Sequence, residues 1–185
     1  MSYTVITPPA SEPLTLSEVK AALRVDGNDL DPDLTAKAKS AREVAEHESG
    51  LLLMPQTVRL ELASWPADLI IKRGPVRSVA SVQYWDGSTW ATVSSPDYVA
   101  WQDGTLWRVD PVSSWPTLGD RVGPRVRVNF EAGYADAASV PSCIKQFIVA
   151  VTGAWFVNPE GSAHPMTFGV NPFLSGLLDP VRVYA

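Results

Sequence analysis

The stretch VRVNFEAGYADAASVPSCIKQFIVAVTGAWFVN, residues 126–158, changes its hydrophobic pattern from strand-like to helix-like within a single turn. Residues 125–131 alternate apolar with polar side chains, which predicts a strand with one buried face. Gly133 follows this strand and is expected to adopt a positive φ at the turn. After Pro141 apolar side chains recur at helical spacing, which predicts a helix over about residues 140–158. The buried face of that helix consists of Ile144, Phe147, Ile148, Val151 and Trp155.

Two further helices are predicted before the strands. Thr15 and Glu18 have the spacing of a capping box at the start of the first helix. The second helix should begin with Asp31 as its N-cap and Pro32 as its first residue, and Gly50 should end it. The polar side chains of this second helix are expected to stay in solvent; they include Lys37, Lys39, Arg42, Glu43 and Glu46.

Short strands separated by turn signals occupy the middle of the chain. Apolar and polar residues alternate after Pro55, and dipeptides that contain Gly or Pro recur as turn signals. The predicted fold class is therefore α+β: a helical core of two N-terminal helices and one C-terminal helix, an inserted antiparallel β-region and an extended C-terminal tail. Within one domain of residues 1–185, the helical pair is 14–50, the β-region 56–132, the core helix 140–158 and the tail 159–185.

Composition limits the class of function. The 185 residues carry a net charge of -5, so the basic face of a tight nucleic-acid binder is not expected. A single cysteine excludes an internal disulfide and fits synthesis in a reducing cytoplasm. The longest apolar stretch is too short and too mixed to span a membrane, and residues 1–14 lack the pattern of a signal peptide. We expect a protein that is soluble and intracellular where it is made.

Few side chains could support catalysis or bind a metal. No nucleotide-binding, hydrolase or zinc-protease motif occurs, and His47 and His164 have no further ligand at metal-binding spacing. Cys143 is expected to act as a small apolar residue rather than as a nucleophile. Neither catalysis nor a cofactor is predicted. Four carboxylates suggest calcium but lack the pattern of an EF-hand loop, and helix capping explains them more simply. They are Asp26, Asp29, Asp31 and Asp33.

The aromatic and basic residues of the β-region allow more than one interpretation. Tryptophan rings can form a platform for sugars, or they can fill the core and a subunit interface. The tryptophans of this region are Trp65, Trp85, Trp90, Trp101, Trp107 and Trp115. The basic residues at both ends of the region could meet phosphate or an acidic partner, but a solvated strand face is the simpler expectation. They are Lys72, Arg73, Arg77, Arg121, Arg125 and Arg127.

Four stretches in a fixed order resemble one known family. They are the helix pair with its acidic turn at residues 14–50, RGPVRSVASVQYWDG at 73–87, the strand, A-G-Y turn and I-K-Q helix at 126–161, and GVNPFLSGLLDPVRVY at 169–184. In this order they are similar to the head–tail connector proteins (adaptor or head-completion proteins) of tailed bacteriophages, prophages and gene transfer agents. Residues 88–123 match no motif of that family.

The resemblance implies a structural protein that forms a ring, a dodecamer in this family, beneath the portal protein of the head. Such a ring extends the DNA channel, lets DNA pass without sequence-specific binding, and connects the portal to the next connector or tail-completion protein. The protein would be made in the cytoplasm of the bacterial host and reside at the head–tail interface of the virion. The alternative is a carbohydrate-binding or tail-tip module that uses the tryptophans.

Two sets of residues are predicted to make the contacts of such a ring. Neighbouring subunits of a cyclic ring meet through two different surfaces. Charged residues on the helical pair are candidates for these surfaces, namely Lys37, Lys39, Arg42, Glu43, Glu46 and Glu48. Apolar residues of the tail are too many for so short a segment to bury, and they are predicted to order on the portal. They are Phe168, Val170, Phe173, Leu174, Leu177 and Leu178.

Overall fold

The computed structural model describes residues 2–104, 106–158 and 176–183. The chain divides into two compact units. The β unit is built from residues of 1–10 and 55–133, and the helical unit from residues of 11–54 and 134–184. Each unit therefore combines segments that are distant in the sequence.

The described strands of the β unit form two antiparallel sheets. The strands are β1 (Ser2–Thr7), β2 (Gln56–Leu62), β3 (Ile70–Ile71), β4 (Val76–Trp85), β5 (Trp90–Thr92), β6 (Tyr98–Asp103), β7 (Leu106–Pro111) and β8 (Val126–Ala132). The larger sheet has the order β1-β2-β8-β4-β5, and the smaller has the order β3-β7-β6. Strands β1 and β6 are therefore edge strands of different sheets.

The central strands of the larger sheet bury one face, as their alternation predicted. Val58 of β2 lies opposite Phe130 of β8, and both side chains are at most 1% exposed. The Tyr3 ring of β1 meets the Phe130 ring edge-on, with 6.3 Å between the centroids. The Tyr3 hydroxyl accepts a hydrogen bond from Lys72 N at 3.0 Å. Burial raises the pKa of Tyr3, and this effect is larger than the lowering of the pKa by that hydrogen bond. The side chain therefore attaches β1 to the core as a neutral phenol.

The helical unit contains α1 (Leu16–Leu23), α2 (Asp31–Ser49) and α3 (Ser142–Val157). Ala41 and Ala45 of α2 are fully buried, and their small side chains let α2 and α3 pack closely. Gly153 of α3 lies beside Leu23 of α1, where an added Cβ would come within 2.8 Å of the leucine Cδ2. The predicted face of α3 is buried from Ile144 to Val151, and Trp155 packs against the same core.

The ends of the helices follow the predicted signals with one exception. The Thr15 side chain accepts from Glu18 N, and the Glu18 carboxylate accepts from Thr15 N, which confirms the capping box. Gly50 ends α2 with a φ of 74°. Asp31 was predicted as the N-cap of α2, and this is wrong: Leu30 holds that position, while the Asp31 carboxylate pairs with Lys20 Nζ at 2.6 Å. The ion pair to α1 replaces the expected capping hydrogen bond.

The predicted α+β class is confirmed by helices and antiparallel sheets in the described chain. Gly133 has a φ of 118°, as the strand-to-helix turn required. The first predicted strand follows Pro55, but residues 2–7, which precede Pro8 and Pro9, already form strand β1. No helix within the described residues is long and apolar enough to cross a bilayer.

The Glu18→Gln variant should lose less stability in acid than the wild type loses. Hydrogen bonds from Thr15 hold the pKa of Glu18 below its ordinary value of 4.5. A carboxylate with a depressed pKa stabilises the fold above its unfolded pKa and loses this contribution as pH falls through its folded pKa. We expect the urea midpoint of Glu18→Gln to fall less than that of the wild type between about pH 7 and about pH 3.

The matched control for this change is Asp120→Asn. Asp120 is exposed, and its carboxylate accepts no hydrogen bond within the described chain. This variant should retain the wild-type dependence on pH. A Glu18→Gln protein that loses as much stability in acid as the wild type would show that the capping box does not contribute to that dependence.

Candidate functional site

The six charged residues predicted for a ring interface do not form one solvated surface. Lys39, Glu43 and Glu48 are exposed on α2. Lys37 is half-buried and pairs with Asp33 one turn earlier. Arg42 and Glu46 are only 4% and 7% exposed, so the prediction that these two stay in solvent is wrong.

Arg42 is buried because it has partners on three sides. Its Nη1 donates to Glu46 Oε2 at 2.7 Å, one turn along α2. Its Nε donates to Glu12 Oε2 at 2.7 Å, and its Nη2 lies 3.3 Å from Glu43 Oε1. The other carboxylate oxygen of Glu46 accepts from Leu53 N at 2.8 Å. The group therefore fastens the chain before α1 and the chain after α2 to the middle of α2.

The described part of the tail is packed on the helical unit. Leu178 is fully buried in the core, and Leu177 packs against the same cluster. Val183 N donates to Ser49 O at 2.9 Å. Leu178 is therefore part of the protomer's own core in this conformation and is not free to contact a portal. The other predicted tail contacts, Phe168, Val170, Phe173 and Leu174, lie outside the described residues, as does His164.

The tryptophans of the β unit do not form a single aromatic platform. Trp65 and Trp115 stack on each other with 4.3 Å between centroids and 7° between planes, so each covers one face of the other. Trp85 and Trp90 meet edge-on at 5.8 Å. Trp101 is the large exposed ring among the described residues, at 43% exposed. A row of open ring faces, which the carbohydrate interpretation needs, is not present in the described part of the β unit.

Arginines cover much of the Trp85–Trp90 pair. The Arg127 guanidinium lies 3.9 Å from the Trp90 ring centroid and also donates to Glu61 Oε1 at 2.8 Å. The Arg121 guanidinium lies 4.6 Å from the Trp85 ring and 5.0 Å from the Trp90 ring. Such cation–π contacts hold charge over an aromatic face. Arg127 is half-buried in these contacts, so the expectation of a simply solvated basic strand face is wrong for it, whereas Arg121 is exposed.

A backbone contact positions the segment that carries Arg121. Gly119 N donates to Trp85 O at 2.8 Å. A Cβ added to Gly119 would lie 2.1 Å from Gly87 N, closer than any side chain can fit. The segment between β7 and β8 is thereby held against the β4–β5 turn, and residue 119 must be glycine for this approach.

The candidate catalytic and metal-binding residues are not brought together. His47 is exposed on α2, and Cys143 is half-buried against the helical core near Tyr134, whose pKa burial raises. Asp31 and Asp33 pair with lysines. Among the described residues no group of three or more His, Cys, Asp or Glu side chains is arranged to hold a metal.

Removing the Arg42 side chain should destabilise the protein strongly. Arg42→Ala leaves the Glu46 carboxylate buried without its main counter-charge, and breaking a buried pair in this way costs about 3–5 kcal/mol. We expect this loss in the free energy of unfolding by urea. The exposed neighbour Lys39 provides the control, since Lys39→Ala should change stability by no more than about 0.5 kcal/mol. Similar small effects for both variants would contradict the anchoring role of Arg42.

Adding a methyl group at Gly119 should disturb the aromatic group. Gly119→Ala forces backbone atoms apart, and overpacking of this kind typically costs about 1–3 kcal/mol. The emission spectrum of Trp85 and Trp90 should shift as Arg121 moves away. A methyl group added at Gly176 meets nothing within 4 Å, so Gly176→Ala is the control. Wild-type stability and fluorescence in Gly119→Ala would refute the close approach of the two glycines.

The chain is similar to known proteins in its fold. No protein-family model and no curated protein sequence matches the chain. Solved structures contain chains of the same fold, among them the three that follow. A chain in the virion of the native gene transfer agent (GTA) particle has a TM-score of 0.81 and 20% identity, with 100% of this chain and 97% of that chain covered.

The other two solved structures are necks of the same kind of particle. A chain in the neck of the empty GTA particle, computed with C6 symmetry, has a TM-score of 0.81 and 19% identity. A chain in the neck of the native GTA particle, computed with C12 symmetry, has a TM-score of 0.74 and 19% identity. Both cover 100% of this chain and 97% of the matched chain. The entire chain therefore has the fold of a neck chain of a gene transfer agent particle, in agreement with the resemblance to phage-type connectors.

Proposed function

We propose that the protein is a structural, non-catalytic connector subunit that forms a ring beneath the portal and joins the head to the tail. The observation that supports this most strongly is the likeness of fold over the whole chain to neck chains, with 97% of each matched chain covered. The ring extends the DNA channel and meets the next connector or tail-completion protein on its far side.

The symmetry of the related necks supports a ring of many copies. Those necks were computed with C6 and C12 symmetry, and a dodecamer of this chain is compatible with both. In a cyclic ring each copy contributes two different surfaces to its neighbours. The exposed charges on α2, Lys39, Glu43 and Glu48, remain candidates for one of them, whereas Arg42 and Glu46 act within the protomer.

The C-terminal tail is proposed to make the portal contact through its apolar residues before Gly176. Leu178 is buried in the helical core and Val183 N donates to Ser49 O, so the apolar residues before Gly176 are the part of the tail proposed for the portal contact. Substituting Phe168 and Phe173 with Ser tests this contact without removing Leu178 from the core.

Electron microscopy of particles made without this gene tests the proposed function. We expect filled heads without tails, and tailed particles when the protein is supplied in trans. The Phe168→Ser, Phe173→Ser double variant should fold normally but restore fewer tailed particles than the wild type. Normal tailed particles in the absence of the gene would refute the connector function.

A further inference from the structure

Two edge strands of the β unit lack the features that usually protect a sheet edge. Strand β1 ends the larger sheet and β6 ends the smaller, and each has one partner strand in the described chain. Both are six residues long and largely exposed. The exposed apolar side chains include Val5 at 51% and Val99 at 53%. Strands of this kind are ready templates for pairing with another strand.

The sequences of these strands contain little that would prevent such pairing. Natural edges are protected by charged residues, proline or bulges. SYTVIT in β1 has no charge and no proline, and YVAWQD in β6 has only its final Asp103. The register of β1 with β2 shifts between Val5 and Thr7, so the regular part of this edge is Ser2–Val5.

Basic side chains border the β1 edge. Arg59 lies opposite Thr4 in the neighbouring strand β2, but its Nε donates to Asn129 Oδ1 of β8 at 2.9 Å, so Lys72 and Arg73 supply the positive charge at this edge. The Arg73 guanidinium lies 5.5 Å from the centroid of the Tyr3 ring. Lys72 is exposed, and its backbone N–H donates to the Tyr3 hydroxyl. This end of the larger sheet therefore has a positive border.

Acidic side chains border the β6 edge. Asp97 is exposed immediately before β6, and Asp110 lies opposite Val99 in β7. The Asp110 carboxylate accepts from Trp101 Nε1 at 2.7 Å, which fixes the orientation of an indole that is 43% exposed. The carboxylate of Asp103, at the end of β6, pairs with Arg108 at 2.7 Å. Three carboxylates thus border this edge beside one arginine.

The two borders are complementary within a unit that has no net charge. Residues 1–10 and 55–133 contain eight Lys and Arg and eight Asp and Glu side chains. Glu61, the carboxylate opposite Ser2 at the β1 edge, is already paired with Arg127 at 2.8 Å. A neutral unit with a positive edge and a negative edge attracts a second copy in a head-to-tail arrangement. Pairing of two like edges would bring like charges together, which disfavours it.

We propose that the β1 edge of one copy pairs with the β6 edge of the next, so that the β units form the head-to-tail contact of the ring. This inference rests on the proposed function for the ring itself. It provides two different surfaces of the kind that a cyclic ring needs, because one edge strand comes from each sheet, and the exposed charges on α2 would add to this contact. Backbone hydrogen bonds supply the attraction, and Trp101 and the bordering charges determine which edge is accepted.

Disulfide formation between single-cysteine chains tests the pairing directly. Cys143→Ala provides the background, and Val5→Cys and Val99→Cys are introduced into separate full-length proteins. After oxidation of a mixture, we expect dimers between a Val5→Cys chain and a Val99→Cys chain in at least several-fold excess over dimers of either chain with itself. In an equal mixture, the one-to-two-to-one ratio of random pairing, or no dimer above the level of a Val122→Cys control on an exposed loop, would overturn the proposal.

Charge exchange gives a second test that does not touch either strand. Lys72→Glu in the Val5→Cys chain, or Asp97→Lys in the Val99→Cys chain, should alone reduce the mixed disulfide severalfold, and the two changes together, one in each chain, should restore it. Asp120→Lys makes the same change at an exposed site away from both edges and should have no effect. Reduction by Asp120→Lys as large as by Asp97→Lys would show a general effect of charge and would overturn the pairing.

The disulfide test of the strand pairing and the gene-deletion test of the connector function can fail independently. Tailless heads without the gene, together with an absent Val5–Val99 disulfide, would retain the connector function and reject this interface. A specific disulfide with normal tails in the deletion strain would retain the interface and reject the connector function.

Discussion

Arg42 sits in the middle of α2 with almost no access to water, and this constraint organises the helical unit. An unpaired guanidinium at such a position would cost several kcal/mol, so its carboxylate partners are as necessary as the apolar core around it. Glu46 comes from the same helix, and Glu12 comes from the chain before α1. Because Glu46 also accepts from Leu53 N, one ionic group determines where the chain approaches and leaves the helical pair. The charges that this group leaves exposed on α2 are Lys39, Glu43 and Glu48.

In the β unit, polar and aromatic side chains connect the strands on the outer face of the larger sheet. Arg127 connects Glu61 of β2 to Trp90 of β5 across the sheet. Arg121 adds a second cation over the same pair of indoles, and the contact of Gly119 with Gly87 brings it there. This use of tryptophan explains why a chain with seven tryptophans presents few open rings. The indoles stabilise the sheet surface instead of forming a sugar platform.

Local sequence patterns predicted much of the fold. Features that depend on contacts between residues distant in the sequence were not predicted. The capping box at Thr15, the stop at Gly50 and the alternation in β2 and β8 depend on neighbours in sequence, and all are confirmed. The burial of Arg42 depends on Glu12, thirty residues away, so no periodicity could indicate it. The pairing of β1 with β2 and the contact at Gly119 are likewise set by distant backbone. The order of the similar stretches indicated the fold, but the edge strands lie where no motif was recognised or where the pattern was weak.

The division of each unit between distant segments has a consequence for biogenesis. Strand β1 is synthesised first but pairs with β2, whose Val58 opposes Val5, only after both α1 and α2 have left the ribosome. Strand β2 in turn gains its inner partner β8 only near residue 126, and α2 gains α3 later still. Contacts of such high sequence separation make folding slow and leave apolar strands uncovered on the nascent chain. The β unit can therefore close only after β8 has been made, and the helical unit only after α3 has followed it.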